Sequence, residues 1–141
     1  MTIVVDASVA AKWIIEEAGS ERAESILEAV ERKQLAMLAP EILAAEVANL
    51  LWKAVWRDGM SADEAADRYA DFMQVCPPLV RDSELAETAL ELAVRYHRSV
   101  YDCLYLALAQ ETPCDFVTAD RKLYNAVKDH LPGVRILGDL A

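Results

Sequence analysis

Short runs of β-branched and apolar residues alternate with longer amphipathic stretches along the whole chain. This order is typical of parallel sheets, because each parallel strand needs a helical crossover to reach the next. The pattern predicts strands near 2–6, 35–38, 79–81, 115–118 and 134–137. It predicts helices at about 8–17, 20–33, 40–56, 61–75, 82–97, 100–111 and 121–130. We therefore expect an α/β fold with a central parallel sheet of about five strands flanked by helices.

Length and composition indicate one domain covering residues 1–141. The chain has 141 residues and is 55% hydrophobic, which is enough for a single core. No stretch approaches the roughly 20 apolar residues of a membrane helix, and the start lacks a basic segment followed by an apolar one. The three cysteines form no close pair of the kind that binds zinc. We expect a cytoplasmic protein with no membrane association.

Two acidic residues follow predicted strands. Asp6 comes after the run Ile3-Val4-Val5, and Asp120 comes after residues 117–119. The carboxyl ends of parallel strands meet at one edge of a sheet, and open α/β sheets bind ligands there. Each acid is also well placed to be the N-cap of the helix that follows. Taken singly, each has a structural explanation as good as a functional one.

Two further acids lie on predicted helices. Glu46 shares a helical face with Leu50, and an unpaired carboxylate there would cost several kcal/mol to bury unless a cation or hydrogen bonds compensate it. A solvated position just off that face is equally compatible with the pattern. Asp102 is the third helical residue after Ser99, which forms a capping box. It also lies on the same face as Tyr105, so capping and inward projection are compatible.

The segments that carry these acids resemble, in order, the four motifs of the PIN-domain nucleases. Within that family they are most similar to the VapC-type toxins of toxin–antitoxin modules. The segments are 3–13 (IVVDASVAAKW), 40–51 around Glu46, 101–107 (YDCLYLA) and 117–123 (VTADRKL). The resemblance extends from Thr2 to about Leu137, so it implies a single PIN-like ribonuclease domain.

Carboxylates that converge at one sheet edge repel one another and need a cation. Oxygen ligands favour Mg²⁺ or Mn²⁺ over zinc. The resemblance implies an endoribonuclease that uses Mg²⁺, with Mn²⁺ as a substitute. It implies Asp6 and Asp102 as direct metal ligands, Glu46 as a ligand or water-orienting base, and Asp120 as a ligand directly or through water. All four acids are thus candidate catalytic and metal-binding residues.

Four more residues are candidates for supporting or substrate contacts. Ser8 and Thr118 suit hydrogen bonds to a bound water or phosphate, although such hydroxyls are equally common as turn and capping groups. Lys12 and Arg121 are candidates for contacts to RNA phosphates, although most exposed basic side chains only solvate a surface.

The charge of the chain does not favour nucleic-acid binding. Its 14 basic and 24 acidic residues give a net charge of −10. RNA affinity would have to come from a local basic patch, from metal ions or from a dimer. The resemblance implies an RNA substrate, a homodimer and a cognate VapB-type antitoxin that fills the groove, with residues 53–58 and 61–75 as candidate contacts. Trp52 and Trp56 have i, i+4 spacing, which favours packing in a core or a dimer interface over base stacking.

Two alternatives from other classes remain open. A phosphohydrolase of the haloacid dehalogenase kind, or a receiver domain, also places acids at strand ends. The former needs an acid at position 8, where this chain has Ser8, and the latter needs an acidic pair beside Asp6. A PIN-like binding module without catalysis is the other alternative, although such modules usually lack some of the four acids.

Overall fold

The computed structural model describes residues 1–140, and within them five strands and seven α-helices form. The strands are β1 (Thr2–Val5), β2 (Ala36–Pro40), β3 (Leu79–Val80), β4 (Asp115–Thr118) and β5 (Val134–Ile136). The helices are α1 (Ala7–Ile14), α2 (Ser20–Glu31), α3 (Ile42–Asp58), α4 (Ala62–Val75), α5 (Asp82–Tyr96), α6 (Val100–Glu111) and α7 (Arg121–Val127). A short 3₁₀ turn (Leu137–Asp139) follows β5. None of these helices is long and apolar enough to cross a membrane.

All five strands are parallel, in the order β3-β2-β1-β4-β5. The prediction of a five-stranded parallel sheet is therefore confirmed. The chain moves from β1 to one edge of the sheet and then crosses to β4 on the other side of β1. The strand order thus reverses between β1 and β4, which is where open α/β sheets bind ligands. Val5 pairs with Val117 across this junction, so Asp6 and Thr118 emerge side by side.

Helices cover both faces of the sheet, and alternate residues of β1 supply the two cores. Ile3 and Val5 face the smaller core, in which α2 contributes Ala23 and Ile26. Val4 faces the larger core, which includes buried residues of α3, α5 and α6. Helix α6 is buried from Cys103 through Ala109, as expected for a helix between the sheet and α5.

Some element boundaries differ from the sequence predictions. Pro40 was expected to start a helix but is the last residue of β2. The residues on either side of it still pair with the neighbouring segment, since the N–H of Ala39 donates to the carbonyl of Pro78 and that of Glu41 to the carbonyl of Val80. Helix α1 ends at Ile14 instead of residue 17, and a turn closed by the Ser20 hydroxyl follows.

Candidate active site

A groove of about 530 Å³ opens at the carboxyl ends of β1 and β4. Its walls come from the start of α1, from α3, from α6 and from the start of α7. All four acids singled out in the sequence line it, namely Asp6, Glu46, Asp102 and Asp120. The groove therefore lies at the reversal point of the sheet and combines carboxylates from four elements.

Asp6 is the most buried of the four acids, with 7% of its surface exposed. It is the N-cap of α1, since its Oδ1 accepts from the N–H groups of Ser8 (3.1 Å) and Val9 (3.3 Å). The Thr118 hydroxyl donates to its Oδ2 at 2.5 Å. Burial raises the pKa of Asp6 to about 6, and the nearby Asp120 carboxylate adds to the increase, while the hydrogen bonds oppose it.

Ser8 and Thr118 connect the two central strands around Asp6. The Ser8 hydroxyl donates to Asp6 and accepts from the backbone N–H of Ala119 at 2.8 Å. The Thr118 hydroxyl, fully buried, also accepts from the N–H of Asp120 at 3.0 Å. Both hydroxyls therefore fix the position of Asp6 relative to β4.

Asp120 is the N-cap of α7. Its Oδ1 accepts from the N–H groups of Lys122 (3.0 Å) and Leu123 (3.1 Å). The predicted capping role is confirmed, and the same residue lines the groove. Asp120 can cap the helix and still take part in the site, because both capping hydrogen bonds go to Oδ1 and leave Oδ2 for other contacts.

Glu46 projects from the second turn of α3 into the groove and is partly buried. The hydroxyl of Tyr105, on α6, donates to its Oε1 at 2.5 Å. Burial raises the pKa of Glu46, and the charges of Asp6 and Asp102 raise it further, whereas the Tyr105 bond lowers it. The sequence-based reading of Glu46 as an inward carboxylate agrees with this position.

Asp102 lies in the first turn of α6, beside an arginine. Its backbone N–H donates to the Ser99 hydroxyl at 3.1 Å, so Ser99 is the predicted N-cap. Its Oδ2 accepts from Nη2 of Arg98 at 3.0 Å. The capping-box reading had the Asp102 carboxylate reach back to the backbone, but within residues 1–140 it bonds to this guanidinium. The Nε of Arg98 is buried without a hydrogen-bond partner among these residues.

The donor set suits a hydrated Mg²⁺ or Mn²⁺ ion better than a closed metal cage. Within residues 1–140, no group of three or more His, Cys, Asp or Glu side chains is arranged to hold a metal alone. In the same range, Glu46, Asp102 and Asp120 each keep one carboxylate oxygen with no hydrogen bond. Mg²⁺ usually binds through one or two carboxylates and retains several waters, so these oxygens fit such an ion.

The basic residues singled out in the sequence do not line the groove. Lys12 donates to Glu17 Oε1 (3.1 Å) and to the carbonyl of Ala18 (2.7 Å). Arg121 lies over the ring of Tyr124, 5.9 Å from its centroid. In the described part of the chain, the basic side chain that lines the groove is that of Lys53, on α3.

Sequence reasoning missed Arg98 and Tyr105 as residues of the site, and it named Lys53 only within the candidate antitoxin contacts at 53–58. Arg98 lies four residues before Asp102, and this i, i+4 spacing of opposite charges could have predicted their ion pair. Tyr105 was placed on the same face as Asp102, but its bond to Glu46 joins two helices and has no local signature. Lys53, seven residues after Glu46, likewise projects to the same side of α3.

The two tryptophans of α3 are exposed. Trp52 is 55% and Trp56 is 75% exposed, with ring centroids 6.4 Å apart. The expectation that they pack in a core is therefore wrong for this chain, while a place in a dimer interface stays a prediction.

A parallel α/β sheet with acids at its reversal point is the arrangement expected of the family named above. The chain matches the model of the PIN domain over residues 3–129, which include all four acids. The chain belongs to the PIN domain family, so the resemblance seen in the sequence is confirmed.

Individual relatives agree with this assignment. Ribonuclease VapC3 from Pyrobaculum aerophilum is 35% identical over 126 residues, which is 87% of this chain and 92% of that protein. A crystal structure of a protein from Pyrobaculum aerophilum has a TM-score of 0.69 at 25% identity, and the match covers 98% of this chain and 93% of that one. Mycobacterium tuberculosis VapC20, a sarcin-ricin loop cleaving toxin, has a TM-score of 0.63 at 19% identity over 89% of this chain and 95% of its own. This last likeness concerns the fold alone.

Proposed function

We propose that this protein is a Mg²⁺-dependent endoribonuclease, with Mn²⁺ as a substitute, that acts as the toxin of a type II toxin–antitoxin module. The observation that carries the proposal is the convergence of four carboxylates in one groove of a PIN domain. The 35% identity to Ribonuclease VapC3 supports RNA as the substrate class. The family match gives no support to the haloacid dehalogenase and receiver alternatives.

The proposed roles follow from the hydrogen bonds that each acid already makes. Glu46, Asp102 and Asp120 would bind the ion through the carboxylate oxygens that make no hydrogen bond. Asp6, the most buried of the four acids, would contact the ion from the bottom of the groove. A bound divalent ion supplies an activated water and compensates the charge of the phosphodiester during hydrolysis. Ser8 and Thr118 hold the Asp6 carboxylate in place and do not contact substrate in this proposal.

RNA would reach the site along the wall formed by α3. Lys53 lines this wall and can neutralise one phosphate. Because the chain has a net charge of −10, few other phosphates would be neutralised, and the bound ion would supply much of the attraction. A substrate of this kind also implies a cytoplasmic location.

The proposal includes two protein partners, a cognate VapB-type antitoxin and a second copy of the chain. The similarity to VapC3 supports the antitoxin. The exposed side chains of Trp52, Trp56 and, on α4, Met73 offer apolar surface for such contacts. Growth arrest on expression, rescued by co-expression of the neighbouring open reading frame, is the expected outcome for a toxin.

The test of the nuclease is cleavage of total cellular RNA by antitoxin-free protein. Wild type and Asp6→Asn are each incubated with Mg²⁺, Mn²⁺ or EDTA, and the new RNA ends are sequenced. Cleavage at discrete sites that needs both a metal and Asp6 is the expected result.

Asp129→Asn is the matched control, because it removes the same charge from an exposed position outside the groove. It should cleave like wild type. Equal cleavage by wild type and Asp6→Asn would contradict the proposed nuclease function. The absence of cleavage by wild type that still binds Mn²⁺ would favour a binding module.

A further inference from the structure

Tyr105 is a buried side chain of the groove to which the sequence motifs assign no task. It is 2% exposed, lies on α6 one turn after Asp102, and lines the groove. Its hydroxyl donates across to Glu46 on α3 with an oxygen–oxygen distance of 2.5 Å. This bond is a direct side-chain link between the two helices that carry acids of the site.

The ring that carries this hydroxyl is held by the sheet. Tyr105 stacks on Phe116 of β4, with centroids 5.9 Å apart and planes 17° from parallel. Phe116 is completely buried, so neither ring can turn without disturbing the core. Strand β4 also carries Thr118, which bonds to Asp6. The same strand therefore fixes one carboxylate through Thr118 and another through the Phe116–Tyr105 stack.

Glu46 needs such a restraint more than the shorter acids do. A glutamate has three side-chain torsions, and the charges of Asp6 and Asp102 act against its ionised form. Without a partner, its carboxylate would be free to turn away from those charges toward solvent. The Tyr105 bond holds one oxygen and leaves the other free in the groove.

We propose that Tyr105 is a positioning residue that aims the Glu46 carboxylate at the divalent ion of the groove. The inference rests on the proposed function, because it requires that the groove binds an ion. The competing explanation is structural, since any buried hydroxyl needs an acceptor. A structural role would affect stability but would not act specifically through Glu46.

The test is a double-mutant cycle on Mn²⁺ affinity, measured by calorimetry on metal-free wild type, Tyr105→Phe, Glu46→Gln and the double variant. Loss of a hydrogen bond behind a metal ligand costs roughly 10–100-fold in affinity, so Tyr105→Phe should bind Mn²⁺ at least about tenfold more weakly. In the Glu46→Gln background the same change should alter affinity by less than about twofold. In RNA cleavage at a Mn²⁺ concentration that saturates both proteins, Tyr105→Phe should lower kcat and leave KM for RNA unchanged.

Tyr96→Phe is the matched control, because it removes a hydroxyl from a ring that packs beside His130, outside the groove. It should bind Mn²⁺ like wild type. Unchanged Mn²⁺ affinity in Tyr105→Phe would overturn the inference, as would an equal loss in both backgrounds. These results leave the nuclease proposal intact, whereas a wild-type protein that binds no Mn²⁺ would overturn the inference and the metal dependence together.

Discussion

At the scale of single residues, burial and hydrogen bonding act in opposite directions on the charge of the Asp6 carboxylate. Its carboxylate caps α1 and accepts from Thr118, and these bonds favour the charged form. Burial nevertheless dominates and raises the pKa of Asp6 to about 6. The folded protein therefore holds a proton at Asp6 more tightly than the unfolded chain does, and a bound divalent ion would reverse this preference.

This conflict predicts that Asp6→Asn stabilises the metal-free protein at neutral pH. The tighter proton binding at Asp6 stabilises the folded protein at low pH. This stabilisation is lost as the pH rises from the ordinary aspartate pKa of 3.8 through the raised pKa of about 6. Asparagine stays neutral, so the variant should gain up to about 3 kcal/mol above that range and nothing below it. Urea unfolding in EDTA at several pH values measures the difference.

Asp129→Asn should show no such pH-dependent gain. Equal stability of Asp6→Asn and wild type across the whole range would show that burial does not penalise the Asp6 charge.

At the scale of elements, the junction of β1 and β4 organises the site. Parallel pairing brings Asp6 beside Thr118, and the Thr118 hydroxyl both donates to Asp6 and accepts from the N–H of Asp120. One buried hydroxyl therefore positions two acids that follow different strands, Asp6 through its carboxylate and Asp120 through its backbone N–H.

Thr118→Val should destabilise the protein by about 1–3 kcal/mol, because a buried carboxylate and a backbone N–H lose their partner while the side-chain shape is kept. It should also reduce RNA cleavage. Thermal unfolding and the cleavage assay measure the two effects.

Thr118→Ser, which restores the hydroxyl, should recover most of both losses. Thr112→Val, at an exposed position, should change neither. A Thr118→Val protein as active and stable as wild type would contradict the shared role of this hydroxyl.

The elements and their capping residues could be predicted from sequence because their signals are local, whereas the four acids were singled out by the ordered resemblance to the family motifs. The alternation of strands and helices predicted the parallel sheet, and capping patterns placed Ser99 and Asp120 at helix starts, as observed. Pro40 was misassigned because a proline suits both a helix start and a strand end, and the pairing of β2 with β3 decided between them.

The contacts between helices could not be predicted in this way. The bond between Tyr105 and Glu46 depends on how α6 packs against α3 across 59 positions of sequence. Lys12 was a candidate for RNA phosphate contacts, but it does not line the groove. Helix α1 ends at Ile14, and in the turn that follows Glu17 lies close enough to accept a hydrogen bond from Lys12.

At the scale of the whole molecule, RNA binding has to overcome a net charge of −10. Few phosphates can be neutralised, so the affinity should depend only moderately on salt. Lys53→Ala should raise KM for RNA and reduce the slope of log affinity against log salt by about 0.7, the value for one phosphate contact in a single strand. Binding titrations with a non-hydrolysable RNA analogue at a fixed Mg²⁺ concentration and several monovalent salt concentrations measure this slope.

Lys128→Ala removes the same charge outside the groove and should leave the slope unchanged. An unchanged slope in Lys53→Ala would show that Lys53 does not contact an RNA phosphate.

The central claim is that four acids from separate elements form one divalent-ion site. The most direct test is anomalous diffraction from crystals of wild-type protein and of Asp102→Asn, both soaked in Mn²⁺. Strong anomalous density is expected in wild type inside the groove lined by Asp6, Glu46, Asp102 and Asp120, and weaker or no density in the variant. Density only outside the groove, or equal density in both crystals, would contradict the central claim.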